Sequence, residues 1–349
     1  MAVIFKSNVK ATTTIKKKIG FQGPIDFTAS ADFSNNIYLK NGKSVVAEDI
    51  LSVEDQLAFL VLDNDAGDIS LSPNGKLRRS FLVEHGIYGA LCSSSNTNFF
   101  FKDRDCVQLP EENVITYALY ACKGSVDLKE KSNVTILRGS GTLKDPLIFN
   151  YKNSTILKVT QSEDAENIVC TAIAGMRVPF APFGIQTTNI DVKKYLDVSL
   201  IKPQEFTLVM RVIEPIRGID EPMTGIATYI KIIQDDDNAL TIAKARNSDL
   251  RTNVLKQGEG EADWQAADVN QIVDTLAIRV KDGQFRVVLN GILMPEAQVK
   301  LDSSFVASQI YLMAADEQWG SDYPESALLN VVVYDRALSN DEMVQSIFR

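Results

Sequence analysis

Along most of the chain, apolar and polar positions alternate in short runs that stop at Gly, Asn, Asp or Pro. This is the period of β-strands with one buried face. The pattern is clearest after residue 200. "FTLVMRVI" (206–213) mixes β-branched and other apolar residues and ends before Pro215. "IATYIKII", the turn "QDDDN" and "ALTIAKA" follow. In "TLAIRVK", Leu276, Ile278 and Val280 share one face, and Asp282-Gly283 comes next. That pair suits a tight two-residue hairpin, where both turn positions need positive φ. "QFRVVL" returns with Phe285, Val287 and Leu289 on one face and Arg286 on the other, and Asn290-Gly291 supplies a second tight turn. "QIYLMA" and "ALLNVVVY" complete a set that predicts a two-layer antiparallel sandwich.

Helical period is scarce. "SVEDQLAFLVL" offers Ser52 as an N-cap, Glu54 and Asp55 in a first turn, and Leu57, Leu60 and Val61 at helical spacing. The run Leu57 to Leu62 fits a buried strand equally well. The clearest helix follows the last strand run. Ser339 and Glu342 form the S-x-x-E capping box, Leu338 and Met343 a hydrophobic staple. Met343, Val344, Ile347 and Phe348 make an apolar stripe that must dock on something. In the strand before it, Val331 and Val333 occupy one face and Val332 and Tyr334 the other. Both faces are apolar, which predicts a strand packed between the core and this helix.

The first half has weaker punctuation. "SNVTILRGSG" and "KNSTILKVTQ" share N-x-T-I-L-(K/R) at Asn133 and Asn153, which reads as two similar strands, since a solenoid needs three or more copies. "MRVPFAPFGIQ", with Pro179, Pro182 and Gly184, reads as a linker and sets the main boundary near 184. "SPNGKLRRS" marks a weaker one near 80. The chain is therefore expected to be mainly β. Residues 1–80 form an N-terminal attachment or oligomerisation region. Residues 81–184 form a β-rich middle region, alone or as one domain with 1–80. Residues 185–349 form a C-terminal antiparallel β-sandwich.

Composition narrows the function classes. The formal net charge of -9 argues against nucleic acid as a main partner. Residues 1–184 balance 20 Lys+Arg against 20 Asp+Glu, whereas 185–349 carry 16 against 25, so the acidic excess lies in the second half. Cys92, Cys106, Cys122 and Cys170 match no zinc spacing and are expected to be reduced, mostly buried thiols. The single histidine, His85, precludes a multi-histidine metal site and gives poor support to a Ser-His-Asp triad. Gly139-Ser140-Gly141 runs into "TLKDP" instead of a helix and reads as a turn, not a phosphate loop. No apolar run approaches the ~18 residues that span a bilayer. "MAVIFKSNVKATTTIKKKIG" places its basic cluster after its apolar residues, the reverse of a secretory signal, so no Sec export and no membrane insertion are expected.

The order of pieces in residues 185–349 resembles the concanavalin A-like jelly roll in its laminin-G form. The resemblance rests on "EFTLVMRVIEP", then "TLAIRVKDGQFRVVLNGILM", then "SQIYLMAAD", then the corner Tyr334, Asp335, Arg336, Ala337, Leu338, Ser339 and Glu342 leading into a short helix. One departure is that the family's first framework strand usually carries a Trp where this chain has Arg211 or a neighbour. Some jelly rolls of this class are glycosidases with E-x-D-x-x-E on one strand, which sets two glutamates roughly 5 Å apart for a retaining mechanism. Here Glu261-Ala-Asp263 begins that pattern, but position 266 is Ala, and Gly258 and Gly260 make the segment look like a loop. The expectation is therefore a non-enzyme.

Binding candidates remain. Trp264 can stack on a sugar ring while Glu261 and Asp263 accept its hydroxyls, or it can simply cover the edge of the core. Trp319 and Tyr323 lie in a second loop, "DEQWGSDYPE", suited to a glycan, a protein or an oligomer contact. Asp235, Asp236 and Asp237 supply oxygen ligands of the kind Ca²⁺ takes, or form a solvated turn; no other cofactor is expected.

The whole chain resembles, in general character, a bacteriophage tail fibre or related virion structural protein. That resemblance implies a homotrimer in the virion tail, synthesised in the host cytoplasm. It would bind other tail or baseplate proteins, with a lectin-like sandwich that contacts a host surface glycan or protein. The alternative is a carbohydrate-active enzyme or binding module of the concanavalin A-like class.

Overall fold

The computed structural model describes residues 20–348, apart from 55–58, 73–76, 78, 84–85, 93–95, 110–115, 130–132, 153–155, 173–186, 189–192, 214–226, 245–248, 266–272 and 314–325. Its described regular structure is almost wholly antiparallel β. No helix among these residues is long and apolar enough to cross a membrane.

The chain divides into two compact units. One comprises Met1–Glu54, Asp191–Glu214 and Met223–Arg349; the other comprises Asp55–Ile190 and Pro215–Pro222. The sequence placed boundaries near 80 and 184 and kept the first residues apart from the sandwich. The structure instead adds strands from residues 29–54 to it, because they complete the hydrogen-bond ladders of both its sheets.

The sandwich strands are β1 (Ala29–Asp32), β2 (Ile37–Lys40), β3 (Lys43–Ser44), β4 (Leu51–Glu54), β5 (Lys193–Leu196), β6 (Glu205–Ile213), β7 (Ala227–Asp235), β8 (Asn238–Lys244), β9 (Leu250–Lys256), β10 (Glu259–Gln265), β11 (Val273–Lys281), β12 (Gln284–Leu289), β13 (Ile292–Leu293), β14 (Gln309–Leu312) and β15 (Ser326–Tyr334), followed by helix α1 (Asn340–Gln345). The back sheet runs β13-β12-β11-β6-β15-β1-β2-β3, and the seven-stranded front sheet runs β10-β9-β8-β7-β14-β5-β4. Leu208, Met210, Leu276, Ile278, Val287, Val331 and Val333 of the back sheet are buried, as are Ile230, Ile232, Leu240, Ile242, Val254, Ile310 and Leu312 of the front sheet. These rows form the sandwich interior. A buried hydrogen bond crosses it: the Tyr229 hydroxyl donates to Asp274 Oδ2 over 2.9 Å.

The hairpins are those the sequence predicts. Asp282 and Gly283 have φ of 48° and 72°, Asn290 and Gly291 of 51° and 79°. A Cβ at position 283 would also lie 2.1 Å from the Asp302 carbonyl oxygen, so only glycine fits.

The outward face of the back sheet is covered by both ends of the described chain. Val209, Ala277, Val288, Val332 and Tyr334 pack with Phe21, Phe27, Leu338, Met343 and Phe348 in one buried cluster. The capping box is formed: Ser339 accepts from the Glu342 amide, and Glu342 accepts from the Ser339 amide. Arg336 ties the corner together. Its guanidinium reaches both Asp26 oxygens (2.8 and 3.1 Å) and both Glu342 oxygens (3.3 and 2.9 Å). The Tyr334 hydroxyl donates to the Pro24 carbonyl (2.9 Å), and the Gln22 amide to that of Ile347 (3.0 Å).

In the other unit, one four-stranded sheet orders Phe100–Phe101, Cys106–Gln108, Ile156–Gln161 and Val126–Leu128. A second orders Val134–Arg138, Leu147–Tyr151, Tyr117–Lys123 and Glu166–Ala172. Tyr117, Leu119, Phe149, Val107 and Leu157 share its main core. Tyr120, Cys122 and Val169 pack on the opposite side with Leu62 and Leu143. The two N-x-T-I-L segments fall on strands of different sheets, hence resemblance without a repeat. The "SVEDQLAFLVL" stretch carries strands at Leu51–Glu54 and Phe59–Leu62 instead of a helix, since each finds an antiparallel partner. Gly139 and Gly141 take positive φ, 95° and 74°, outside any helix. The 173–186 linker and His85 lie outside the described residues.

Candidate functional site

The sequence candidates that the structure describes fall on the front sheet and its β7–β8 turn. Residues 259–265, read as a loop from their glycines, form the edge strand β10, paired along its length with β9. Strand alternation then separates the candidates. Asp263 lies opposite Thr252 and Glu261 opposite Val254, in rows continuous with the interior-facing side chains. Trp264 occupies an alternate position opposite Arg251. A sugar stacked at position 264 would not meet the two carboxylates on the same face. Asp263 is also engaged locally: its Oδ2 accepts from the Gln298 amide (3.1 Å) and Gln265 Nε2 (3.2 Å). Trp319, Tyr323 and Ala266 lie outside the described residues.

The three aspartates do not gather as ligands. Asp235 Oδ1 accepts from the Asp237 amide (3.0 Å) and Asn238 Nδ2 (2.8 Å), and Oδ2 accepts from Gln234 Nε2 (2.9 Å). The bonds from Asn238 and Gln234 hold its carboxyl below the usual range. The carboxylate serves the β7–β8 turn. Among the described residues no group of three or more His, Cys, Asp or Glu is placed to hold a metal ion. Cys106, Cys122 and Cys170 are free and buried. Burial pushes the Cys122 thiol up to about 12 and raises that of Cys170, so neither is a thiolate nucleophile near neutral pH.

What the sheet does assemble is a continuous outward row. Register links Ser52, Tyr195, Tyr311, Lys231, Thr241, Asn253 and Ala262, one residue from each of the seven strands. With ~4.8 Å between strands, Tyr195 to Asn253 spans roughly 19 Å. Tyr195 and Tyr311 form an edge-to-face pair with ring centroids 4.6 Å apart. Lys231 is half-buried, Thr241 is buried, and Asn253 is 6 % exposed. The Asn253 side-chain oxygen is fully buried, with no hydrogen-bond partner among the described residues. Arg251 and Trp264 stand in the adjacent row. Such an arrangement offers aromatic surface beside amide, hydroxyl and ammonium groups, but no pair of acidic side chains for acid–base chemistry.

Sequence reasoning missed this row because each strand contributes one member. The available signal was a polar or aromatic residue at the centre of each run: Lys231 in "IATYIKII", Thr241 in "ALTIAKA", Asn253 in "LRTNVLK", Tyr311 in "QIYLMA".

No family model matches the chain, and no curated protein matches its sequence. Solved structures match at low similarity. The Ruminococcus gnavus IT-sialidase CBM40 is 14 % identical over 42 % of this chain and 84 % of its own, with a TM-score of 0.32. Domain 4 of AbnA, a GH43 extracellular arabinanase from Geobacillus stearothermophilus, is 11 % identical over 48 % of this chain and 79 % of its own, with a TM-score of 0.33. A Trypanosoma rangeli sialidase in complex with 2,3-difluorosialic acid is 16 % identical over 48 % of this chain but only 27 % of its own, with a TM-score of 0.35.

Proposed function

We propose that this chain is a non-enzymatic recognition protein whose sandwich binds glycan along the outward row of the front sheet. The observation that carries this reading is the alignment of half-buried Tyr195, Tyr311 and Lys231 on three adjacent strands, continued on the next two by the buried Thr241 and Asn253, whose side-chain oxygen has no partner among the described residues. Sugar C–H faces pack on aromatic rings, and a buried acceptor without a partner is costly unless a ligand hydroxyl supplies the donor. The direct test is binding of the full chain to a panel of immobilised bacterial surface polysaccharides. Tyr311→Ala and Asn253→Ala should each weaken binding ~10-fold or more, equivalent to about 1.4 kcal/mol, without lowering the unfolding midpoint appreciably. Unchanged binding in both variants overturns the reading.

The wider setting proposed is a bacteriophage tail fibre, a homotrimer that presents this sandwich to a host surface. The support is the β-rich chain and its general likeness to phage structural proteins. An SDS-resistant trimer that binds intact bacteria is the expected result. A monomer that binds no bacterial surface defeats this setting and leaves the glycan test standing on its own.

A further inference from the structure

The outward face of the back sheet changes character along its strands. One row, Leu39, Ser30, Val332, Val209, Ala277 and Val288, lies under α1 and the N-terminal segment. The next row begins with Ile37 on β2 and is then polar: register places Asp32, Asn330, Arg211 and Thr275 side by side. The strand register shifts immediately after Arg211, a bulge of the kind that re-aims a side chain and often borders a functional site.

Three facts set this row apart from an ordinary buried polar cluster. Asn330 is 2 % exposed, and among the described residues its side-chain oxygen has no hydrogen-bond partner. Asp32 is buried and already engaged, its oxygens accepting from the Asn35 amide (3.0 Å) and Asn35 Nδ2 (2.8 Å). Arg211 is half-buried, and among the described residues no hydrogen bond or ion pair reaches it; only the charge of Asp32 acts on it, from two strands away. Desolvation is the main influence on the guanidinium and disfavours its charged form. A guanidinium stays protonated regardless, so a half-buried one calls for an anion.

We propose that Arg211 and Asn330 form a binding site for a small oxyanion that also carries a hydroxyl group. The planar fork of Arg211 takes two anionic oxygens, a geometry that ammonium groups cannot copy. The Asn330 oxygen is an acceptor and takes the ligand's hydroxyl. A fully deprotonated oxyanion such as sulfate satisfies the fork and leaves Asn330 unpaired. Singly charged phosphate and the sugar acids satisfy both, and the carboxylate of Asp32 on the far side of Asn330 disfavours higher ligand charge. The site lies on the sheet opposite the glycan row and is independent of it.

Thermal unfolding of the full chain, titrated separately with inorganic phosphate, glucuronate and sulfate, tests this. A ligand that binds only the folded state raises the midpoint with concentration, as RT ln(1 + [L]/Kd). Arg211→Leu gives the baseline for non-specific salt stabilisation. The expected result is a shift above that baseline with phosphate or glucuronate and a smaller one with sulfate; whichever of the first two is stronger identifies the source of the oxyanion. Arg211→Lys keeps the charge without the fork, and Asn330→Asp replaces the acceptor with a like charge. Each should weaken apparent affinity ~10-fold or more. With phosphate, which is not a sugar, Tyr311→Ala on the other sheet should leave the shift unchanged, so failure here is separable from failure of the glycan reading. Equal shifts for the wild type and Arg211→Leu with both ligands overturn the proposal. If Arg211→Leu does not fold, equal shifts for the wild type, Arg211→Lys and Asn330→Asp do so.

Discussion

The two sheets of the sandwich present opposite answers to the same problem. Each has one face in the shared interior, so each must deal with the other. The back sheet covers the middle of its outward face with its own chain: Val209, Val332 and Tyr334 lie under Met343, Phe348 and Phe21. The front sheet writes polar and aromatic residues into its outward face, from Tyr195 to Asn253. The difference is legible in the strands themselves. β15 is apolar at successive positions, Val331 to Val333, whereas β8 and β9 set polar Thr241 and Asn253, themselves buried, between Leu240, Ile242, Thr252 and Val254. A strand's second face records what stands against it.

Breaking the covered face should have the largest effect. Met343→Ala removes a fully buried side chain from the cluster and should cost about 2–5 kcal/mol in urea unfolding. Tyr311→Ala on the front sheet should cost no more than about 1 kcal/mol. Similar losses at the two positions would erase the distinction.

Acid should loosen the corner next. The paired Arg336, followed by the Ser339 amide, holds the Glu342 carboxyl at about 2, below its ordinary 4.5. The folded state thus favours the ionised form. The stability it adds is fully present above pH 4.5 and is lost as pH falls towards 2. The wild type should lose stability over that window more steeply than Glu342→Gln, and parallel curves would show that the pair adds nothing.

Ser339→Ala removes the N-cap and should cost about 1 kcal/mol. The smallest effect is expected at Asn253→Ala, within about 0.5 kcal/mol of the wild type in urea, because the amide oxygen lost has no partner to leave behind. A loss above about 2 kcal/mol would make Asn253 a structural anchor instead of a contact kept for a ligand.

Much of the sandwich was legible because its signals are local. Asp282-Gly283 and Asn290-Gly291 announce hairpins through a backbone requirement that few other pairs meet. Ser339 and Glu342 announce a helix start through two reciprocal hydrogen bonds. What was not legible depends on distant pairing. Nothing in Ala29–Asp32 names β15 as its neighbour, so the N-terminal strands looked like a region of their own. The glycines and acids of β10 suggested a loop, although an edge strand needs only one paired side and tolerates such residues. The candidate site divides in the same way. Glu261, Asp263 and Trp264 could be picked out by residue type, but their separation onto alternating faces follows from a strand the sequence concealed. Arg211 stood out only as a departure from a resemblance, and Asn330 beside it only once the register was known.

The tie between Arg336 and Asp26 joins residues 310 positions apart, and this constrains how the protein is made. With ~5–20 residues added per second, the roughly 300 residues between β1 and β15 take on the order of 15–60 s to synthesise. For that interval β1 waits on the ribosome without its main partner, while every strand of the 55–190 unit has already emerged. The unit in the middle of the chain can fold first, and the sandwich around its ends closes only when the corner at Arg336 arrives.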